Sequence, residues 1–246
     1  YCVGGIVLIT SLDNKKIKDL VRLREKKYRD LSSSFIVDSA NFINEAASLG
    51  LLLEVYILEG YDLDVSCPKY FVTERVMNKI KSVNTCLFIG VIKKPLCEKI
   101  VGDRILLLDN IQDPGNLGTI VRSALGFDVS SIVLSNDCCD LYNDKCLRAT
   151  EGAVLRVNII RDDLACVIKS LKKSDIPIYV TDVCEGDDVS SVPHSCYAVV
   201  MGNEGNGVRD SIRSLCDKRI NIRTNSRLES LNVGVATSII LYEFSK

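Results

Sequence analysis

The chain has 246 residues, with 31 Lys/Arg against 32 Asp/Glu, a formal net charge of −1 and 47% hydrophobic residues. That length allows one large core or two smaller ones, and the composition is that of a soluble globular protein. No apolar run reaches membrane-spanning length, and no membrane partner is expected. The chain opens on Tyr1 rather than Met, so its native start is expected to be missing or altered. No basic leader precedes Cys2-Val3-Gly4-Gly5-Ile6-Val7-Leu8-Ile9, and no secretory signal is expected. Eleven Cys are scattered without a C-x-x-C pair, and the single His194 has no Cys partner at zinc spacing, so no metal site is expected. Cysteines within apolar runs such as Thr85-Cys86-Leu87-Phe88 read as reduced core thiols of a cytoplasmic protein, and Cys138-Cys139 as a packing pair. Residues 1–100 carry 15 Lys/Arg against 12 Asp/Glu, a net of +3, and the remainder nets −4. This asymmetry points weakly to an N-terminal half that faces a polyanion.

In chain order, residues 10–30 begin with cap-type residues at Thr10-Ser11-Leu12-Asp13 and read as one helix. Lys15, Lys16, Lys18, Arg22, Lys26, Lys27 and Arg29 crowd it, as either a solvated face or a phosphate-contacting surface. Residues 34–37 read as a strand, 39–49 as a helix, 51–58 as a strand, 71–82 as helical and 86–92 as a strand. This alternation predicts a small α/β unit, with residues 93–103 as a linker. The second half continues with strands at 105–108, 131–134, 157–160, 176–180, 197–201 and 220–222. Helices are expected at 119–125, 144–152, 163–173, 208–215 and 230–244. Apolar strands alternating with helices predict a mainly parallel α/β sheet covered on both faces.

Three strand–loop–helix junctions stand out. The first runs from Asp109 through the turn signal Asp113-Pro114-Gly115 to Asn116 and Arg122, at the kind of sheet edge where open α/β folds bind ligands. Its plainer reading is an ordinary αβ connection with a surface Arg. The second is Met201-Gly202-Asn203-Glu204-Gly205-Asn206-Gly207. Its glycine spacing is neither the dinucleotide fingerprint nor a phosphate loop. Glu204 would repel a phosphate, so it suits a cationic or hydrogen-bond-donating ligand or neighbour, unless it is simply exposed on a sharp turn. The third joins Ile222-Arg223-Thr224-Asn225-Ser226 to Ser230-Leu231-Asn232-Val233-Gly234-Val235-Ala236. Ser230 is the natural N-cap of a helix that is apolar on nearly every side and expected to be buried. Asn232 in its first turn then needs partners, from the backbone or from a ligand.

These three motifs, in this order between Asp109 and Ala236, resemble the SpoU family of RNA ribose 2′-O-methyltransferases within the SPOUT superfamily. Residues 10–95 look like the family's N-terminal substrate-binding domain, a small fold shared with certain ribosomal proteins. The family often has Glu-Gly where this chain has Asp38-Ser39. The resemblance implies a substrate-binding domain over residues 1–98 and a catalytic domain over 99–246. The catalytic domain would carry a trefoil knot, bind S-adenosylmethionine and assemble as a homodimer. It implies cofactor contacts at Gly202, Ile222, Thr224 and Leu231, and functional polar residues at Asn116, Arg122, Glu204, Ser230 and Asn232. Family members usually carry Ile-Pro-Met-x-Gly in the cofactor-pocket wall, where this chain has Ile222-Arg223-Thr224-Asn225-Ser226. The implied reaction moves a methyl group to a ribose 2′-hydroxyl. A guanidinium stays charged near neutrality and is a poor base. Arg122 is therefore expected to orient a phosphate and stabilise developing oxyanion charge. Ribosomal RNA is the expected substrate, with transfer RNA second. The rival readings are a non-catalytic RNA-binding protein of the same fold and a dinucleotide-dependent enzyme.

Overall fold

Alternating apolar segments fold this chain into two sheets, each in its own unit. The computed structural model describes residues 2–3, 6–82, 86–183, 185–225 and 227–246. Tyr1, Gly4, Gly5, Thr85 and Ser226, which entered the readings above, lie outside the described residues, as do Val83, Asn84 and Cys184. The units are Tyr1–Leu96 with Tyr142–Leu147, and Cys97–Leu141 with Arg148–Lys246.

The first unit holds a six-stranded mixed sheet. Its strands are Cys2–Val3 (β1), Ile6–Ile9 (β2), Ser34–Val37 (β3), Leu52–Leu58 (β4), Lys69–Val72 (β5) and Phe88–Lys93 (β6). Their order across the sheet is β1-β2-β5-β4-β6-β3. The helices are Lys15–Arg22 (α1), Lys26–Ser32 (α2), Ala40–Ser48 (α3) and Glu74–Ile80 (α4). Two expectations fail here. The helix read over residues 10–30 is two helices, with Asn14 rather than Thr10–Asp13 as the first cap. The buried Arg29 donates to the carbonyls of Leu23 and Arg24 at the break, satisfying groups that the end of α1 leaves open. Arg29 is therefore structural and not a phosphate contact. Residues 71–82, read as helical, split into the end of β5 and α4. Parallel pairing of Tyr70, Phe71 and Val72 with β4 overrides the local helical period.

The second unit is built on a seven-stranded sheet whose strand pairs are all parallel. Its strands are Arg104–Leu108 (β7), Ser131–Leu134 (β8), Asn158–Arg161 (β9), Ile178–Thr181 (β10), Asp187–Asp188 (β11), Tyr197–Met201 (β12) and Lys218–Asn221 (β13). The order is β11-β13-β10-β12-β7-β8-β9, so the first and second motifs leave neighbouring strands, β7 and β12. Ile105, Leu106, Leu107, Val199 and Val200 are all fully buried, as a sheet covered on both faces requires.

The remaining helices are Pro114–Gly126 (α5), Asp144–Thr150 (α6), Leu164–Lys172 (α7), Asp210–Arg213 (α8) and Val233–Phe244 (α9). Helix α5 starts at Pro114, five residues before the expected Thr119, because Asp113 caps it and Pro suits the first helical position. Helix α9 starts at Val233 with Asn232 as its cap, not at Ser230. Helix α9 is also not buried all round. Val233, Gly234, Thr237, Ile240, Leu241 and Phe244 face the interior, while Val235, Ile239 and Tyr242 are exposed. It packs on α5 through a 2.7 Å contact between the Ser123 and Ser238 hydroxyls. A Cβ on Gly234 would sit 3.1 Å from Thr119 Cγ2, so glycine permits this close approach. Among the described residues no helix is long and apolar enough to cross a membrane.

Candidate active site

The first motif begins where β7 ends. Asp109, fully buried, takes its N–H bond to the Met201 carbonyl at 2.8 Å, which locks the end of β7 to the end of β12. Its carboxylate accepts from the Arg209 backbone N–H at 2.9 Å, from Arg209 Nε at 2.8 Å and from Nη2 at 2.5 Å. Arg209 also reaches Asp137 at 2.9 Å. A buried carboxylate requires such pairing. Asn110 follows with φ of 59°, a left-handed conformation that Asn tolerates, and its carbonyl accepts from Asn203 Nδ2 at 2.9 Å. Cys138 is more than a packing partner for Cys139. Its thiol accepts from the Ile111 N–H at 3.3 Å and donates to the Leu108 carbonyl at 3.2 Å. Burial pushes the Cys139 thiol up to about 11, which keeps it protonated.

The second motif closes on itself. Asn203 and Gly207 exchange backbone bonds of 3.0 and 2.9 Å. A Cβ on Gly202 would lie 2.2 Å from the Gly207 carbonyl carbon, so the loop can close only over glycine. The Asn203 side-chain oxygen accepts from the N–H groups of Gly205 and Asn206 at 3.0 and 3.1 Å. This hairpin holds Glu204 at the start of α5. Its carboxylate accepts from Asn116 Nδ2 at 3.0 Å and from the N–H groups of Asp113 and Gln112 at 3.2 and 3.4 Å. Burial alone would push the Glu204 carboxyl up. Hydrogen bonds from Asn116 and from the backbone of Glu204, Asp113 and Gln112 outweigh it and hold the group below its ordinary range. Of the sequence alternatives for Glu204, the structure supplies the neighbouring protein donors.

The third motif joins through Asn232. Its Nδ2 donates to Asn116 Oδ1 at 2.8 Å, and its Oδ1 accepts from the N–H groups of Gly234 and Val235 at 2.9 and 3.3 Å. Both amide orientations are thereby fixed by the network. A single directional chain results: the α9 N-terminus donates to Asn232, Asn232 to Asn116, and Asn116 to Glu204. Such chains polarise in one sense and rigidify what they join.

Asn116, Glu204 and Asn232 are thus brought together. Arg122 is not among them. It lies exposed on α5 and pairs with Glu151 at 2.9 Å, so Glu204 does not hold it. Ser230 is exposed in the loop before α9. Sequence reading set Asp109 and Asn203 in the motifs without giving them a role, and did not name Arg209. A lone Asp directly after an all-apolar strand was the available signal, because a charge there must find a partner.

Of the residues assigned to a cofactor, Gly202 is buried, Ile222 and Leu231 are half-buried and Thr224 is exposed. Between Ile222 and Leu231 the described residues, 223–225 and 227–230, form neither helix nor strand. Arg223, in the stretch that departs from the family pattern, pairs with Asp188 at 2.8 Å. Among the described residues no group of His, Cys, Asp or Glu is placed to hold a metal ion.

The SpoU rRNA Methylase family model matches residues 103–242, which span all three motifs. The chain belongs to this family. It is 30% identical over 241 residues to the 23S rRNA (guanosine(2553)-2′-O)-methyltransferase RlmP of Bacillus subtilis, covering 95% of this chain and 97% of that protein. It is 33% identical over 141 residues to the 23S rRNA (guanosine-2′-O-)-methyltransferase RlmB of Xanthomonas campestris pv. campestris, covering 56% of this chain and 57% of the relative. The crystal structure of an AdoMet-bound rRNA methyltransferase from Sinorhizobium meliloti superposes with a TM-score of 0.85 at 25% identity, covering 98% of both chains. The expected α/β class with a mainly parallel catalytic sheet is borne out.

Proposed function

We propose that this SpoU-family chain is an S-adenosylmethionine-dependent RNA methyltransferase that methylates a ribose 2′-hydroxyl in ribosomal RNA. The observation that carries this reading is the hydrogen-bond chain Asn232–Asn116–Glu204, which ties all three family motifs into one rigid site. S-adenosylmethionine, when bound, supplies an electrophilic methyl group on a sulfonium. Gly202, Ile222, Thr224 and Leu231 would hold it. Asn116, Glu204 and Asn232 fix the loop edges and so the placement of the attacking hydroxyl. Ser230, exposed two residues before Asn232, would offer a further polar contact. Arg122 makes an exposed ion pair with Glu151, a partner that a phosphate can replace, and would orient that phosphate and stabilise oxyanion charge.

Residues 99–246 carry the chemistry in this reading, and residues 1–98 grip the RNA. The exposed Lys15 and Lys27, which have no carboxylate partner among the described residues, support an RNA-facing α1–α2 segment. The exposed face of α9 supports a homodimer. The placement of β13 beyond β10, with α9 returning to α5, supports a C-terminal knot. Free thiols support a cytoplasmic setting. Ribosomal RNA is favoured over transfer RNA because the RlmP and RlmB relatives carry 23S rRNA in their names.

The test supplies labelled S-adenosylmethionine and deproteinised 23S rRNA. Label is expected at a ribose whose 3′ linkage then resists alkali. Arg122→Ala should lower the rate on the order of 10²–10³-fold and leave cofactor binding in place. Absence of transfer together with absence of cofactor binding would support the non-catalytic reading instead.

A further inference from the structure

The first unit carries an open groove of about 410 Å³, walled by α1 and α2 and floored by the sheet. That volume falls within the ~300–1,000 Å³ range of small-molecule sites. Tyr28 and Leu31 line its walls, and Leu31 is 74% exposed. Ser34 from β3, Glu54 and Tyr56 from β4 and the apolar Val91 from β6 line its floor.

The protons of that floor are already spent. The Tyr56 hydroxyl donates to Glu54 Oε1 at 2.8 Å, and Lys16 Nζ donates to Oε2 at 3.1 Å. Ser32 donates to the Tyr28 carbonyl at 2.8 Å, which leaves the Ser34 hydroxyl as donor in its 2.8 Å contact with Ser32. What Glu54, Tyr56 and Ser34 have left to offer is lone pairs, and the cations that also line the groove, Lys16 and Arg22, are paired with Glu54 and Asp19. An occupant must therefore bring N–H groups, a flat apolar body for the walls and a negative charge outside. The last requirement follows from the exposed Lys15 and Lys27 on the same α1–α2 segment, which have no carboxylate partner among the described residues.

We propose that this groove takes one unstacked nucleobase of the RNA, a base bearing an exocyclic amino group, as adenine, guanine and cytosine do. The ring stacks against Tyr28 and Leu31, the amino group donates to the floor, and the phosphates run along the basic segment. Splayed bases held on aromatic side chains are the common mode of single-stranded RNA recognition. The inference rests on reading the first unit as the RNA-gripping one.

The chain contains no Trp, so Leu31→Trp places a single fluorophore at an exposed position lining the groove. The probes are single-stranded oligo(A), oligo(C) and oligo(U) of about ten nucleotides, within the usual site size, and a duplex of equal length. Oligo(A) and oligo(C) should quench the fluorophore at lower concentration than oligo(U), with the duplex weakest. In the otherwise native chain, Tyr28→Leu should weaken oligo(A) binding about ten-fold, and Glu54→Gln should erase the preference over oligo(U). RNA binding with no quenching and no effect of Tyr28→Leu would overturn the groove and leave the RNA reading intact. Replacing Lys15 and Lys27 by Ala tests that reading separately. An unchanged salt slope in that variant would remove the RNA-gripping reading, and no binding of any probe by the wild-type chain would remove both. A fluorophore that responds to added wild-type chain instead of RNA would make the groove a contact between copies and overturn the inference.

Discussion

Glu204 and Arg209 show how two charges at one sheet edge do different work. Glu204 collects donors from Asn116, Asp113 and Gln112, and its carboxyl is held below its ordinary value of 4.5. A carboxyl depressed in the folded state contributes its full stability above the unfolded value and loses it as pH falls through the folded one. Glu204→Gln removes that contribution. The difference in Tm between wild type and this variant should hold steady from neutral pH down to about 5 and shrink below about 4.5, the ordinary value of the group. A difference independent of pH down to the acid transition would contradict the assignment. Arg209 instead neutralises Asp109, which has no exposure at all. Arg209→Leu strands a buried carboxylate and should cost about 3–5 kcal/mol. Arg122→Leu breaks an ion pair whose members are both more than half exposed, and should cost less than about 1 kcal/mol. Denaturant titrations of the two variants side by side check this contrast.

At the scale of elements, the junction between loop and α9 is where stability and placement of the site separate. Asn232 caps α9 with its oxygen and positions Asn116 with its nitrogen. Asn232→Ser keeps a cap and drops the donor, so Tm should stay near wild type while methyl transfer falls. Asn232→Ala drops both, and should also lose about 1 kcal/mol of stability. Equal transfer rates for the two variants and wild type would deny Asn232 its positioning role. Sequence reading placed this cap at Ser230, because Ser is as good a cap as Asn and composition cannot choose between two candidates two residues apart. The same limit moved the start of α5 to Thr119, where Asp113 and Pro114 in fact begin the helix. The parallel strands were legible because burial on both faces leaves near-continuous apolar runs, as in β7 and β12. The break between α1 and α2 was not, since it depends on a buried Arg29 whose charge looks like surface charge in a sequence. Glu204, Asn116 and Asn232 were singled out separately. Their shared hydrogen-bond chain was invisible, because it needs three-dimensional register between β7, β12 and α9.

For the molecule as a whole, the decisive surface is the outer face of α9. Val235, Ile239 and Tyr242 recur at helical spacing and remain exposed, with Leu125 exposed at the end of the packed neighbour α5. The Tyr242 ring meets Phe127 edge-on at 6.2 Å, so one aromatic edge is already held in place. An apolar stripe on a helix whose other face is fully packed suits an isologous contact with a second copy, in which each α9 meets its mate. Ile239→Glu places a charge at the middle of that stripe, where burial against a like charge on the mate is prohibitive, while the exposed site costs the monomer little. Wild type should therefore scatter light as a dimer at micromolar concentration, and Ile239→Glu should be a folded monomer with an unchanged far-ultraviolet spectrum. In the proposed reading the site adjoins this face through Asn232 and Gly234, so the monomer should also lose methyl transfer. A wild-type chain that is monomeric at that concentration yet fully active would separate the α9 face from assembly and from catalysis alike.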